Sequence, residues 1–130
     1  MPKFGEKSRG QLLTCHEDLQ RLFNEVIKHF DCSVLEGHRN EANQNAAFAA
    51  RVSRLRWPES KHNRIPAEAV DVVPDPVRWS DVKRMYYFAG FVMAVAIGMD
   101  IPLRWGGDWD RDTEVLDNKF NDLCHFELLK

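Results

Sequence analysis

Two histidines and one aspartate carry the most chemistry in this sequence. His62 lies in Ser60-Lys61-His62, a polar stretch just ahead of Ala69-Val70-Asp71-Val72-Val73. Asp71 interrupts a β-branched run that should be mostly buried. A carboxylate there costs several kcal/mol unless it is paired or bound to a cation. His125 sits in an alternating segment, with His125 and Glu127 on one face and Phe126 and Leu128 on the other. Two imidazoles and a carboxylate make a three-ligand set for Zn2+, leaving a fourth position where water can ionise near neutral pH. The spacing is wide, so the fold must bring the three together.

A hydrolytic metal site also needs a base that is not itself a ligand. Asp122, three residues before His125, is the candidate. In an ideal strand positions i and i+3 face opposite ways, so this role requires a bend or bulge around residues 121–123. Asp122 reads equally as a turn residue. Arg39, after Gly37-His38, offers a cationic fork to a developing oxyanion, or it pairs on the surface with Glu36 or Glu41. Asp108, Asp110 and Asp112 alternate in a polar loop, but Thr113 and Lys119 stand where a calcium loop of the EF-hand kind needs glycine and glutamate. That loop reads as a solvated acidic segment, with a weaker cation site as the alternative. His16, His29 and His38 read as surface or helix-end residues.

The elements that must position these groups are legible in outline. Leu12, Leu19, Leu22, Phe23, Val26, Ile27 and Phe30 recur at helical spacing and predict one helix over Ser8–Phe30. Cys32–Leu35 reads as a strand. Asn40 can cap an alanine-rich helix running to about Leu55, and Trp57-Pro58 breaks it. Ala69–Val73 reads as a strand stopped by Pro74 and Pro76. Ser80 is the expected cap of an apolar helix to Met99. Ile101–Trp105 and Leu123–Leu129 read as strands on either side of the loop Asp108–Asn118. The fold class is therefore α+β: about three helices against a small antiparallel sheet.

The 130 residues suit one domain, 1–130. Lys plus Arg is 18 against 20 for Asp plus Glu, a net charge of −2, so no basic excess is available for nucleic acid. No apolar run approaches the ~20 residues of a membrane span. Three widely spaced cysteines, Cys15, Cys32 and Cys124, read as reduced thiols. The first ten residues lack an apolar stretch, so the expectation is synthesis in the cytoplasm. Nothing in the composition demands an assembly, and a monomer is expected.

Four segments taken in order resemble the M15 family of zinc peptidases, which includes D-Ala-D-Ala carboxypeptidases and phage endolysins that cut L-alanyl-D-glutamate bonds in peptidoglycan. Gly37-His38-Arg39 with Gln44 is similar to its Gly-x-Arg-x-x-x-x-Gln segment. Ser60-Lys61-His62 with Ala69-Val70-Asp71 is similar to its Ser-x-His and Ala-x-Asp pair. Trp105-Gly106-Gly107-Asp108-Trp109 resembles a stretch of the endolysin-like branch, and Asp122 to His125 its final Asp/Glu-x-x-His. The resemblance runs over about residues 34–127. It implies the Hedgehog/DD-peptidase fold, His62, Asp71 and His125 as zinc ligands, Asp122 as general base, Arg39 as oxyanion stabiliser and Ser60 in substrate binding. It implies peptidoglycan stem peptides as substrate, and action on the wall after release from the cell.

The sequence departs from the family in the longer His62–Asp71 interval and in Glu68, where glycine is usual. The loop between must bulge to keep both ligands in place. The alternatives are a D-Ala-D-Ala carboxypeptidase of the same family, a zinc-containing structural or wall-binding domain without turnover, and a domain without metal.

Overall fold

The computed structural model describes residues 2–129. Among these, four strands form one antiparallel sheet in the order β1-β2-β4-β3: β1 (Cys32–Glu36), β2 (Ala69–Pro74), β3 (Leu103–Gly106) and β4 (Asp122–Leu128). Helices α1 (Glu6–Leu12), α2 (Glu17–Val26), α3 (Glu41–Ala49) and α4 (Val82–Gly98) surround it, with a short 3-10 helix at Lys61–Asn63. The α+β class with a small antiparallel sheet is as expected.

Strand alternation divides the sheet into two faces. Val34, Val70, Val72, Phe126 and Leu128 point into the apolar core with α2 and α4. There Phe126 meets Phe23 and Phe88 edge-on, with ring centroids 5.6 and 6.3 Å apart. Asp71, His125 and Glu127 occupy the alternate positions and so face away from that core.

The first helix differs from its prediction over residues 8–30: it is two helices. Between them the chain turns at residues 13–14 and then forms a bridge at Cys15. Cys15 bridges to Ala67, the His16 amide donates to the Ala67 carbonyl at 2.8 Å, and the Ala67 amide to the Thr14 carbonyl at 2.9 Å. His16 then caps α2, its Nδ1 accepting from the Asp18 amide at 3.0 Å. The apolar stripe of α2 continues the phase of α1, which hides the break. The count of helices rises from three to four for this reason.

Helix α3 stops at Ala49 rather than near Leu55. Arg51 takes a left-handed conformation at φ 63°, and Gln44 holds the returning chain through the Leu55 carbonyl at 2.6 Å. Asn40 is its cap as expected, accepting from the Asn43 amide at 2.9 Å. Ser80 does not cap α4. Residues 78–81 close a turn, the Asp81 amide donating to the Arg78 carbonyl at 3.0 Å, and the Asp81 side chain accepts from the Arg84 amide at 3.2 Å. The expected irregularity near Asp122 is present. Trp105 pairs with Phe126 while the next residue, Gly106, pairs with Asp122, so residues 123–125 bulge from β4. The Leu123 carbonyl, turned out of the ladder, accepts from the Trp105 indole at 2.8 Å.

Candidate metal centre

Asp71 lies directly opposite His125 in the β2–β4 ladder, so register alone puts the two side chains together. His62 reaches the same point from the 3-10 helix. Ser60 caps that helix: its hydroxyl accepts from the His62 amide at 3.2 Å, and its own amide donates to the Asn63 side chain at 3.1 Å. The longer His62–Asp71 interval is taken up in a closed loop. The Glu68 amide donates to the Lys61 carbonyl at 3.0 Å, and Glu68 pairs with Arg64 across the loop at 2.5 Å. The residue at the family's glycine position thereby helps to fasten the bulge.

The two rings are held from behind. His62 Nδ1 lies 2.8 Å from the Gly37 carbonyl. A carbonyl only accepts, so Nδ1 carries the proton and Nε2 keeps its lone pair. That Nε2 is fully buried, has no hydrogen-bond donor, and stands 3.2 Å from Asp71 Oδ1. His125 repeats the pattern with its nitrogens exchanged. Nε2 lies 2.8 Å from Glu127 Oε1, and Nδ1 stands 3.3 Å from Asp71 Oδ1. The three ligand atoms all fall within 4.8 Å of one another. Lone pairs brought this close repel unless a proton or a cation lies among them, and a set of two imidazoles with one carboxylate suits a divalent transition metal.

In the metal-free protein, charge on the imidazoles answers the same crowding. Burial alone would raise Asp71, yet the two imidazoles beside it, His125 first and then His62, hold it well below the usual carboxylate range. Burial would lower His125, but Asp71 and Glu127 outweigh it and raise the imidazole to about 9. Burial would also raise Glu127, but His125 and Arg104 bring it down to about 2.

In protein stripped of divalent metal these shifts set a stability profile. His125 rises from 6.5 to about 9 on folding, so its contribution is complete below pH 6.5 and is lost as pH climbs through 9. Glu127 falls from 4.5 to about 2, so its contribution is complete above pH 4.5 and is lost as pH drops toward 2. The denaturation midpoint of chelator-treated protein should therefore be highest between these windows and decline from pH 6.5 to 9. A midpoint that stays level over that alkaline range contradicts the pairing.

Arg39 belongs to the same group. Its guanidinium is 3.6 Å from Asp71 Oδ2. Nη2 and Nε donate to Glu36 Oε1 at 2.6 and 2.9 Å, and Nη1 to Gln44 Oε1 at 3.0 Å. The expected Glu36 partner is real, but the arginine is only 7% exposed and is a fixture of the site rather than of the surface. Gln44 is fully buried. It was visible in the sequence as part of a motif, though its work as the brace of Arg39 was not.

Gly37 supplies both the His62 anchor and a close approach. A Cβ there would sit 2.3 Å from Thr14 Oγ1 and 2.4 Å from the Gln11 carbonyl. Gly37→Ala must push the end of α1 from the anchor, and overpacking of this kind costs about 1–3 kcal/mol. Chemical denaturation should show that loss; an unchanged midpoint would mean the two segments yield freely.

The centre opens into a cleft of about 690 Å³, lined among others by Arg39, Ser60, Asp122 and Trp109. Asp122 is half-buried there. Burial, and then the charge of Asp71, raise its carboxyl above the ordinary range, against the opposing pull of His125 and His62. Cys124 Sγ lies 3.5 Å from its Oδ1. Ser60 is buried, with its oxygen engaged in the cap. Trp109 lays its ring 5.5 Å from that of His125, and its indole donates to the Phe120 carbonyl at 2.7 Å. The Trp105–Trp109 motif drew notice to Trp109 without placing it beside the ligand, and nothing marked Glu127 as the partner of His125, although the alternation placed Glu127 on the right face. Asp108, Asp110 and Asp112 also approach one another, but Asp108 accepts from the Asp112 and Thr113 amides, at 3.2 and 2.9 Å. Cys15, Cys32 and Cys124 are free thiols. No helix among the described residues is long and apolar enough to cross a membrane.

Fold and site together define a small α+β domain with a His/Asp/His cluster lining a cleft. A profile of the phage L-alanyl-D-glutamate peptidase family matches residues 1–129, and the chain belongs to that family. Among solved structures it is similar to the L-Ala D-Glu endopeptidase ChiX of Serratia marcescens, at 27% identity and a TM-score of 0.74, covering 98% of this chain and 90% of that one. Comparison with curated proteins returned no match.

Proposed function

We propose that this protein is a zinc-dependent peptidoglycan peptidase that cuts the L-Ala-D-Glu bond of the stem peptide and serves a phage or prophage as an endolysin of the M15 type. The observation that carries the metal is the buried, donorless His62 Nε2, 3.2 Å from Asp71 Oδ1, with His125 Nδ1 3.3 Å from the same oxygen. Ligands about 2.0–2.1 Å from a tetrahedral zinc stand roughly 3.3 Å apart, and a zinc held by three such protein ligands would leave one position for water. Family membership and the likeness to the Serratia endopeptidase support the substrate.

Zinc held by His62, Asp71 and His125 supplies Lewis acidity that activates water near neutral pH. The chain's own groups do the rest. Asp122 takes a proton from the attacking water at its carboxylate and returns it to the leaving nitrogen. Its raised pKa makes it a better acceptor than a solvated aspartate. Arg39, braced by Glu36 and Gln44, offers its cation to the carbonyl oxygen as negative charge builds there. Ser60 lines the cleft where the peptide lies.

The test is digestion of purified cell walls, with mass spectrometry of the products. The proposal expects stem peptides with new amino-terminal glutamate. Release of free D-alanine instead identifies a carboxypeptidase, and zinc uptake without any cleavage identifies a binding domain.

A further inference from the structure

We infer that Glu127 is a positioning residue for the metal centre: it holds His125 in the tautomer and rotation that aim Nδ1 at Asp71, and it ties that ligand to the His62 loop. The inference rests on the zinc peptidase reading above. Glu127 is buried, 7% exposed, on the strand face that carries His125. Its Oε1 receives the His125 Nε2–H at 2.8 Å. Its Oε2 receives Arg104 Nε and Nη2 at 3.1 and 2.5 Å, and lies 3.5 Å from Lys61 Nζ. Lys61 is the residue before His62, and its ammonium also donates to the Leu128 carbonyl.

The consequences follow from the atoms. An ionised carboxylate can only accept, so the Nε2 proton is fixed and Nδ1 is left as the donor of electrons. Negative charge behind the ring also makes that nitrogen a stronger ligand. Arg104 and Lys61 offset the cost of burying the charge, and both enter from other segments, β3 and the 3-10 helix. One carboxylate therefore fastens the strand bearing His125 to the segment bearing His62. Trp109 packs against the same imidazole at a tilt, ring centroids 5.5 Å apart, so the ring has a neighbour on that side besides the Glu127 carboxylate.

The experiment compares the wild-type 130-residue chain with E127A and the isosteric E127Q. Zinc affinity is read by competition with a chromogenic chelator, kcat and KM on isolated stem peptides, and folding by circular dichroism. E127A is expected to weaken zinc about 10–100-fold. At saturating zinc it lowers kcat with little change in KM. E127Q keeps an acceptor oxygen but not the charge, and falls between E127A and wild type. A folded E127A with zinc affinity and kcat within twofold of wild type overturns the inference and leaves the peptidase reading intact. If E127A does not fold, E127Q decides: a loss of threefold or more supports the role, and no loss overturns it. Wild type that takes up no zinc overturns the peptidase reading, and the inference with it.

Discussion

Replacing His62 by alanine should abolish release of new amino termini from cell walls and remove stoichiometric zinc uptake. Asp71 and His125 are neighbours in one ladder, and without His62 they leave a two-ligand site open on the side where that imidazole stood. Affinity must then fall by more than the roughly 10–100-fold that follows from losing a partner behind a ligand. Stability responds in a separable way. His62 is 2% exposed, and its removal leaves the Gly37 carbonyl without its donor, which costs about 1–3 kcal/mol. The core against α2 and α4 lies on the other face of the sheet and is untouched, so far-ultraviolet circular dichroism should remain that of the wild type. Zinc analysis after gel filtration, with digestion of walls in parallel, checks the result. A variant that keeps one zinc per chain shows that the metal sits elsewhere, and one that keeps full activity without zinc shows that the chemistry is not metal-dependent.

The parts of the site that were legible in the sequence are those where a residue contradicts its surroundings. Asp71 stands out because a carboxylate in a β-branched run has to be explained, and the explanation is His62 and His125. His125 stands out through alternation, since a strict period of two sends it away from Phe126. The bulge in β4 was readable for a related reason: Asp122 and His125 cannot share a face of a regular strand, and the structure resolves this by giving β4 residues 123–125 to spare. Glu127 was not legible, because a glutamate on the polar face of an alternating strand looks solvated. Only the arrival of Arg104 and Lys61 from distant segments buries it. The split between α1 and α2 was missed because the apolar stripe keeps its phase across residues 13–16. What breaks the helix there is a partner far along the chain, Ala67, and no local propensity reports it. Glu17 and Asp18 after His16 were the one available cue, as acidic residues in a first turn. Arg39 lay between. Its Glu36 partner was foreseen, but its burial depends on Gln44 and the return of the chain at Leu55.

Asp122→Asn separates catalysis from metal binding, and its expected effect is a fall in kcat of about 10²–10⁴, the range for loss of a positioned general base. That is roughly 3–5 kcal/mol on the barrier at 1.36 kcal/mol per factor of ten. The substitution keeps the shape of the side chain and leaves the backbone alone, which matters because Gly106 is there to let the Asp122 carbonyl come close: a Cβ on Gly106 would lie 2.1 Å from it. Asparagine still accepts from the Cys124 thiol through its carbonyl oxygen. Folding and substrate binding should thus hold, with KM changed less than kcat. Removing the charge also removes the repulsion with Asp71 that helps to raise the wild-type carboxyl. The metal-free variant should therefore be no less stable than wild type. An amide cannot take a proton from water at neutral pH, so the acid limb of the kcat profile contributed by Asp122 should disappear from the variant along with most of the rate. The decisive comparison is single-turnover cleavage by zinc-loaded wild type and variant across pH. If the variant binds one zinc and cuts at the wild-type rate, the proton goes elsewhere, and the carboxylate at the bulge of β4 has no part in the reaction.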